Sequence, residues 1–156
     1  MVVLLVRHAH AASRAKWEED DADRPLSTKG RDQAQKLVSV LGTYRPSRIL
    51  SSPYLRCVDT IGPLAETLGV EVEIDDRLAE GGGSAAVELV RSLADQDVAV
   101  CSHGDVLPTI LVMLANEDDL NLGPMPRVEK ASAWVLEPGA GRFASAAYLE
   151  PPRVRS

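Results

Sequence analysis

Two of the three histidines in this chain occur in the same local setting. The apolar run at residues 2–6 leads into Arg7-His8, and the run at residues 98–101 leads into Ser102-His103. A buried strand does not carry an arginine or a histidine into the core unpaired. In an open α/β sheet, however, the carboxyl ends of the strands are where ligands bind. Arg56 opens a helical stretch, where the positive end of the dipole disfavours a cation unless an anion sits beside it. Brought together, these side chains suit phosphoryl transfer. Arginine forks bind phosphate oxygens in pairs and neutralise charge in the transition state. A neutral imidazole attacks phosphorus and carries the group, and a second histidine hydrogen-bonds it. A carboxylic acid must protonate the leaving oxygen and then activate water. Glu80, in the loop after the third strand, is the candidate.

The elements needed to position this set are legible in the periodicity. After His10, residues 11–24 are dense in charge and without period, which reads as a long loop with its acidic run solvated. Arg14 and Lys16 lie close enough to His8 in sequence to be candidate substrate-binding residues. Ser27 or Thr28 caps a helix carrying Ala34, Leu37, Val38 and Leu41, closed near Gly42. A strand at residues 48–50 follows. The spacing then predicts a helix capped by Ser52, with Pro53 in its first turn. Further elements are a strand at 70–74, a glycine loop at 81–83, a helix over 84–94, the strand at 98–101 and a helix over 106–114. A polar excursion at 116–127 precedes a hairpin of strands at 128–136 and 142–149. The expectation is a three-layer α/β/α fold with a mostly parallel central sheet, as one domain over 1–150 with a tail at 151–156.

Composition excludes several classes. Net charge is −6 and only 4% of residues are aromatic, so neither a basic surface nor a stacking platform argues for nucleic acid. No apolar run approaches the roughly 18 residues of a membrane span. The two cysteines, Cys57 and Cys101, match no disulfide framework or metal pair, and no leader is visible, so a cytoplasmic protein is expected. His8-Ala9-His10 lacks the further ligands and the length of a metal-dependent barrel. Cysteine phosphatase chemistry fails, because Pro63 and Leu107 stand where Cys-x5-Arg needs arginine. The run Gly81-Gly82-Gly83 has neither P-loop nor dinucleotide spacing.

Five segments, in order, resemble the histidine phosphatase superfamily with its phosphoglycerate mutase-like fold. They are Arg7-His8-Ala9, the stretch Pro25-Leu26-Ser27-Thr28-Lys29-Gly30 continuing to Gln33-Ala34, Ser51-Ser52-Pro53 with Arg56 and Asp59-Thr60, Leu78-Ala79-Glu80-Gly81, and Ser102-His103-Gly104. The resemblance implies His8 as nucleophile, Arg7, Arg56 and His103 as the phosphate pocket, Glu80 as general acid and base, and no metal or other cofactor. Ala9 in place of the usual glycine is similar to the small SixA-like members that act on phosphohistidine proteins. Arg14 stands where many members have asparagine. The charged loop from Ser13 to Trp17 and the Arg56 to Thr60 stretch also resemble the phosphatase domain fused to Nudix domains in actinobacterial nucleotide-sanitising enzymes. Long insertions of the mutase kind are missing, which lowers the standing of a phosphoglycerate-type mutase. The presence of Glu80 favours ester or anhydride substrates. The expected partners are therefore a phosphorylated small molecule, a nucleotide or a phosphohistidine protein. A non-catalytic phospho-ligand binder is the alternative in a different class.

Overall fold

The computed structural model describes residues 1–154. Six strands form one sheet: β1 (Val3–Arg7), β2 (Arg48–Ser51), β3 (Val72–Ile74), β4 (Val98–Ser102), β5 (Ala133–Pro138) and β6 (Phe143–Leu149). Four helices cover it: α1 (Thr28–Gly42), α2 (Leu55–Leu68), α3 (Ser84–Ser92) and α4 (Val106–Asp118). The strand order is β3-β2-β4-β1-β5-β6, with β1 to β4 parallel and the last two antiparallel. The layered, mostly parallel architecture is as expected.

Strand β1 alternates between two cores, which is why it reads as an unbroken apolar run. Val3 and Leu5 pack with α3 and α4 through Val87, Val90, Leu107 and Leu111. Leu4 and Val6 pack with α1 and α2 through Leu37, Leu41, Ile61 and Leu64. Truncating one of these leucines to alanine costs about 2–5 kcal/mol by lost transfer and cavity energy.

Several boundaries differ from the sequence expectation, each for a visible reason. Ser27 caps α1 as expected, accepting from Gly30 N at 3.0 Å. Ser52 does not cap α2. That helix starts at Leu55, and the Ser52 hydroxyl instead meets His103 Nε2 at 2.8 Å. Helix α4 runs on to Asp118, so the polar excursion begins later than its composition suggests. Residues 128–132 are a turn rather than strand, with Ala131 in the left-handed region at φ 65°. The loop at 11–24 is ordered by two single 3-10 turns, Arg14–Lys16 and Asp21–Asp23, and an antiparallel bridge between Ala11 and Leu26. Of the tail at 151–156, residues 155 and 156 lie outside the described residues. Its first part is tied to α1, with Lys36 Nζ donating to Arg153 O at 2.7 Å. Among the described residues, no helix is long and apolar enough to cross a membrane.

Candidate active site

Parallel pairing of β1 with β4 sets Arg7 opposite Ser102, and the two strands therefore release His8 and His103 side by side. The imidazole centroids are 5.4 Å apart, edge to face. Nδ1 of His8 lies 2.8 Å from Ala9 O, and because a carbonyl only accepts, the proton sits on Nδ1. Burial lowers the pKa of His8 to about 3, assisted by His103, Arg56 and Arg7 and opposed by the Ala9 contact. The ring is thus neutral, and Nε2 has no hydrogen-bond partner among the described residues.

The backbone that carries His8 is fixed from several directions. Ala9 N donates to Thr60 Oγ1 at 2.8 Å, and that hydroxyl donates to Arg56 O at 2.7 Å. One threonine therefore locks the loop after His8 to the turn that presents Arg56. His10 N donates to Gln33 Oε1 at 3.0 Å. Gly30 packs so closely on His10 that a Cβ would lie 1.9 Å from its carbonyl oxygen. His10 itself stands at the rim, with Nδ1 2.6 Å from Ser27 Oγ.

Around His8 lies an unfinished anion cradle. Only four buried side-chain N or O atoms lack a hydrogen-bond partner among the described residues, and three are Arg7 Nε, Arg56 Nε and His103 Nδ1. Unpaired buried donors are costly, so their clustering marks a place for acceptor oxygens. Arg7 is held by Nη1 donating to Val128 O at 2.6 Å, and its guanidinium packs on Gly104, where a Cβ would lie 2.7 Å from Cζ. Arg56 is fully buried, with its Cζ 4.8 Å over the Tyr54 ring. Its Nη1 donates to Asp21 O at 3.0 Å, and its Nη2 donates to Asp21 Oδ2 at 3.1 Å and Glu80 Oε1 at 2.5 Å.

Glu80 reaches the site. A tight turn aims it: Gly81 has φ 82°, Gly81 N donates to Asp105 Oδ2 at 2.8 Å, and a Cβ on Gly82 would lie 2.5 Å from Arg77 O. Its Oε1 is 3.5 Å from His103 Nδ1 and 3.9 Å from Arg14 Nη2.

A cleft of about 810 Å³ joins Arg7, His8, Arg56 and Glu80 to a rim that includes Arg14, Arg24 and Lys130. His103 forms part of the wall behind His8, where it is 1% exposed. Lys16 is exposed and stands outside the cleft lining, whereas Arg14, also exposed, stands in it. The acidic run is not uniformly solvated either. Burial raises the Asp21 carboxyl, but Arg24 and Arg56 outweigh it and hold the group below its ordinary range. Sequence reasoning missed Asp21, Ser52, Asp105 and Lys130 as site residues. Only Ser52 carried a signal, through the Ser-Ser-Pro segment; the others come from loops brought to the site by contacts distant in sequence, such as Asp21 with Arg56 and Asp105 with Gly81. Among the described residues, no group of three or more His, Cys, Asp or Glu is arranged to hold a metal ion.

Comparison with known proteins bears on the family and the fold. The chain is 30% identical over 156 residues to an 8-oxo-(d)GTP phosphatase of Mycolicibacterium smegmatis, covering 96% of this chain but 48% of that protein, so it spans about half the length of that relative. It superimposes on the protein histidine phosphatase SixA bound to tungstate with a TM-score of 0.80, at 21% identity and 97% coverage of both chains. A SixA described as a putative phosphohistidine phosphatase, from Agrobacterium tumefaciens, gives a TM-score of 0.78 at 27% identity, covering 96% of this chain and 97% of that one. Residues 3–84 match the histidine phosphatase superfamily (branch 1), and the chain belongs to that family.

Proposed function

We propose that the protein is a cytoplasmic phosphatase that works without a metal, through a covalent phosphohistidine at His8. The observation that carries this reading is the neutral, Nδ1-tied His8, whose Nε2 lone pair stands unpartnered between Arg7, Arg56 and His103. Nε2 attacks phosphorus as the bond to the leaving group breaks. The arginines and His103 Nδ1–H meet the non-bridging oxygens, where charge develops. Glu80, protonated, gives its proton to the leaving oxygen. As carboxylate it then takes a proton from the water that attacks phosphorus, the P–N bond breaks, and His8 returns to its neutral form.

Support for the substrate class comes from the relatives. One is an 8-oxo-(d)GTP phosphatase and others are SixA phosphohistidine phosphatases, so a nucleotide, a small phosphate ester and a phosphohistidine protein are the classes to compare. The test is phosphate release by wild type and His8→Ala, with chelator present, on one member of each class. Turnover that survives chelation, disappears in His8→Ala and passes through an acid-labile, base-stable phosphoenzyme is expected. Turnover retained by His8→Ala would overturn the mechanism.

A further inference from the structure

The cleft is larger and more cationic than one phosphoryl group needs. Five cationic side chains line it, Arg7, Arg14, Arg24, Arg56 and Lys130, against two carboxylates, Glu80 and Asp105, in a chain of net charge −6. Both carboxylates already have partners, Glu80 on Arg56 and Asp105 on Gly81 N. Arg24 is held by Asp21 Oδ1 at 3.0 Å and Ala12 O at 2.6 Å. Two cations at the mouth are left with little to bind.

Arg14 is one. Its side chain is 71% exposed and touches Asp21 and Glu80 only at 3.9 Å, yet Glu80 is the same carboxylate that sits on Arg56 and near His103. Arg14 is therefore one carboxylate's width from the phosphoryl pocket. Lys130 is the other. Its turn is stapled to the nucleophile's strand, with Ala131 N donating to both Arg7 O and His8 O and Arg7 N donating to Ser132 O. Burial and then the charges of Arg7, Arg24, Arg14 and Lys29 all push its pKa down, so every charge that it feels strongly is positive. Cations gathered without a counter-charge are unfavourable unless an anion completes them.

We propose that Arg14 and Lys130 form a second anion subsite, for the phosphate next to the one transferred, so that the preferred substrates are phosphoanhydrides such as nucleoside di- or triphosphates. The inference rests on the preceding reading for the reaction but not for binding. Among the described residues, the cleft lining contains no Phe, Tyr or Trp, so recognition would come from the phosphate chain more than from a stacked base.

The test is calorimetric titration of His8→Gln protein, in which turnover is blocked, with inorganic phosphate and inorganic pyrophosphate. Pyrophosphate is expected to bind about a hundredfold tighter, the size of two charge-assisted contacts. Lys130→Ala and Arg14→Ala should each remove about tenfold from that ratio, with Lys130→Gln as the second variant if the alanine form is unstable. Lys16→Ala, which removes the same charge outside the cleft, should keep the ratio. A ratio near one in the parent, a ratio unchanged by Lys130→Ala and Arg14→Ala, or an equal fall in Lys16→Ala would overturn the subsite. His8-dependent turnover with a flat ratio sinks the subsite alone. A steep, Lys130-dependent ratio without turnover on any substrate sinks the reaction alone.

Discussion

Strands β1 and β4 end alike, in a polar residue and a histidine at matching register, yet the two histidines are prepared for different work. His8 has its Nδ1 bound to Ala9 O, a backbone atom of its own loop. His103 has its Nε2 bound 2.8 Å from Ser52 Oγ, with Cys57 Sγ at 3.5 Å, atoms supplied by a different strand-to-helix turn. Ser52 Oγ already accepts Tyr54 N–H, so its own proton can turn to His103 Nε2. That leaves Nδ1–H of His103 as a donor on the Glu80 side. One ring offers a lone pair and the other a proton. The anchored nitrogen, rather than the strand, decides which.

The largest expected effect comes from exchanging each ring for a group that donates but cannot attack. His8→Gln should lower turnover by roughly a thousandfold or more and abolish the phosphoenzyme, as loss of a covalent nucleophile does. His103→Gln should slow turnover by about a hundredfold, the scale of one lost transition-state donor, while rapid-quench labelling still finds phosphate on the protein. Equal labelling in both variants would erase the distinction.

Next in size are the two arginines that accompany the rings. Arg56→Ala should destabilise the fold by about 3 kcal/mol in urea, because it empties the space of a large, fully buried side chain and takes from Asp21 and Glu80 their shared partner. Arg7 is half-buried and pairs with no carboxylate side chain among the described residues, so Arg7→Ala should cost less stability. The reverse order would show that Arg56 is not the linchpin of the acidic loop. Ser52→Ala is the finer probe of the His103 side: kcat should fall about tenfold with KM little changed, since the proton of the ring is mis-set but the arginines remain.

The smallest step, read one pH unit at a time, separates His8 by acid. An unfolded histidine gains its proton near 6.5, whereas folded His8 does so only near 3. Between those values the unfolded chain binds more protons, so stability falls as pH drops through that window. His8→Gln should remove about 1 kcal/mol per pH unit of that slope, read from urea midpoints at successive pH values. A wild-type-minus-variant difference that stays flat would mean that His8 is not held neutral by burial.

The fold and the floor of the site were legible because both rest on strong local signals. Apolar runs marked β1 and β4, and a polar pair at the end of each marked the pocket. The motif glycines gain physical reasons from the structure: Gly30 admits His10, and Gly104 admits Arg7. What local pattern did not show was the second coordination of those residues. Ser52 looked like a helix cap because serine before proline is an N-cap signature, but its hydroxyl serves a histidine 51 positions away. Asp21 looked like one more solvated carboxylate in an acidic run, although the neighbouring Asp20 caps a turn that points Asp21 at Arg56. Lys130 was read as part of a strand, because a left-handed residue at Ala131 has no signature when the side chain is alanine rather than glycine.

The position of β1 between β4 and β5 has a consequence for the order in which the molecule can assemble. The strand that leads into His8 precedes the other described strands, and its edges are closed only by segments translated much later. Val2 N waits for Asp97, 95 positions on, and Arg7 waits for Val128, 121 positions on. A nascent chain that has left the ribosome as far as α3 therefore holds β1 with both edges open. Such long closures fold slowly and expose strand edges meanwhile. The sheet can hold His8 in its final position only after β4 and β5 have been made.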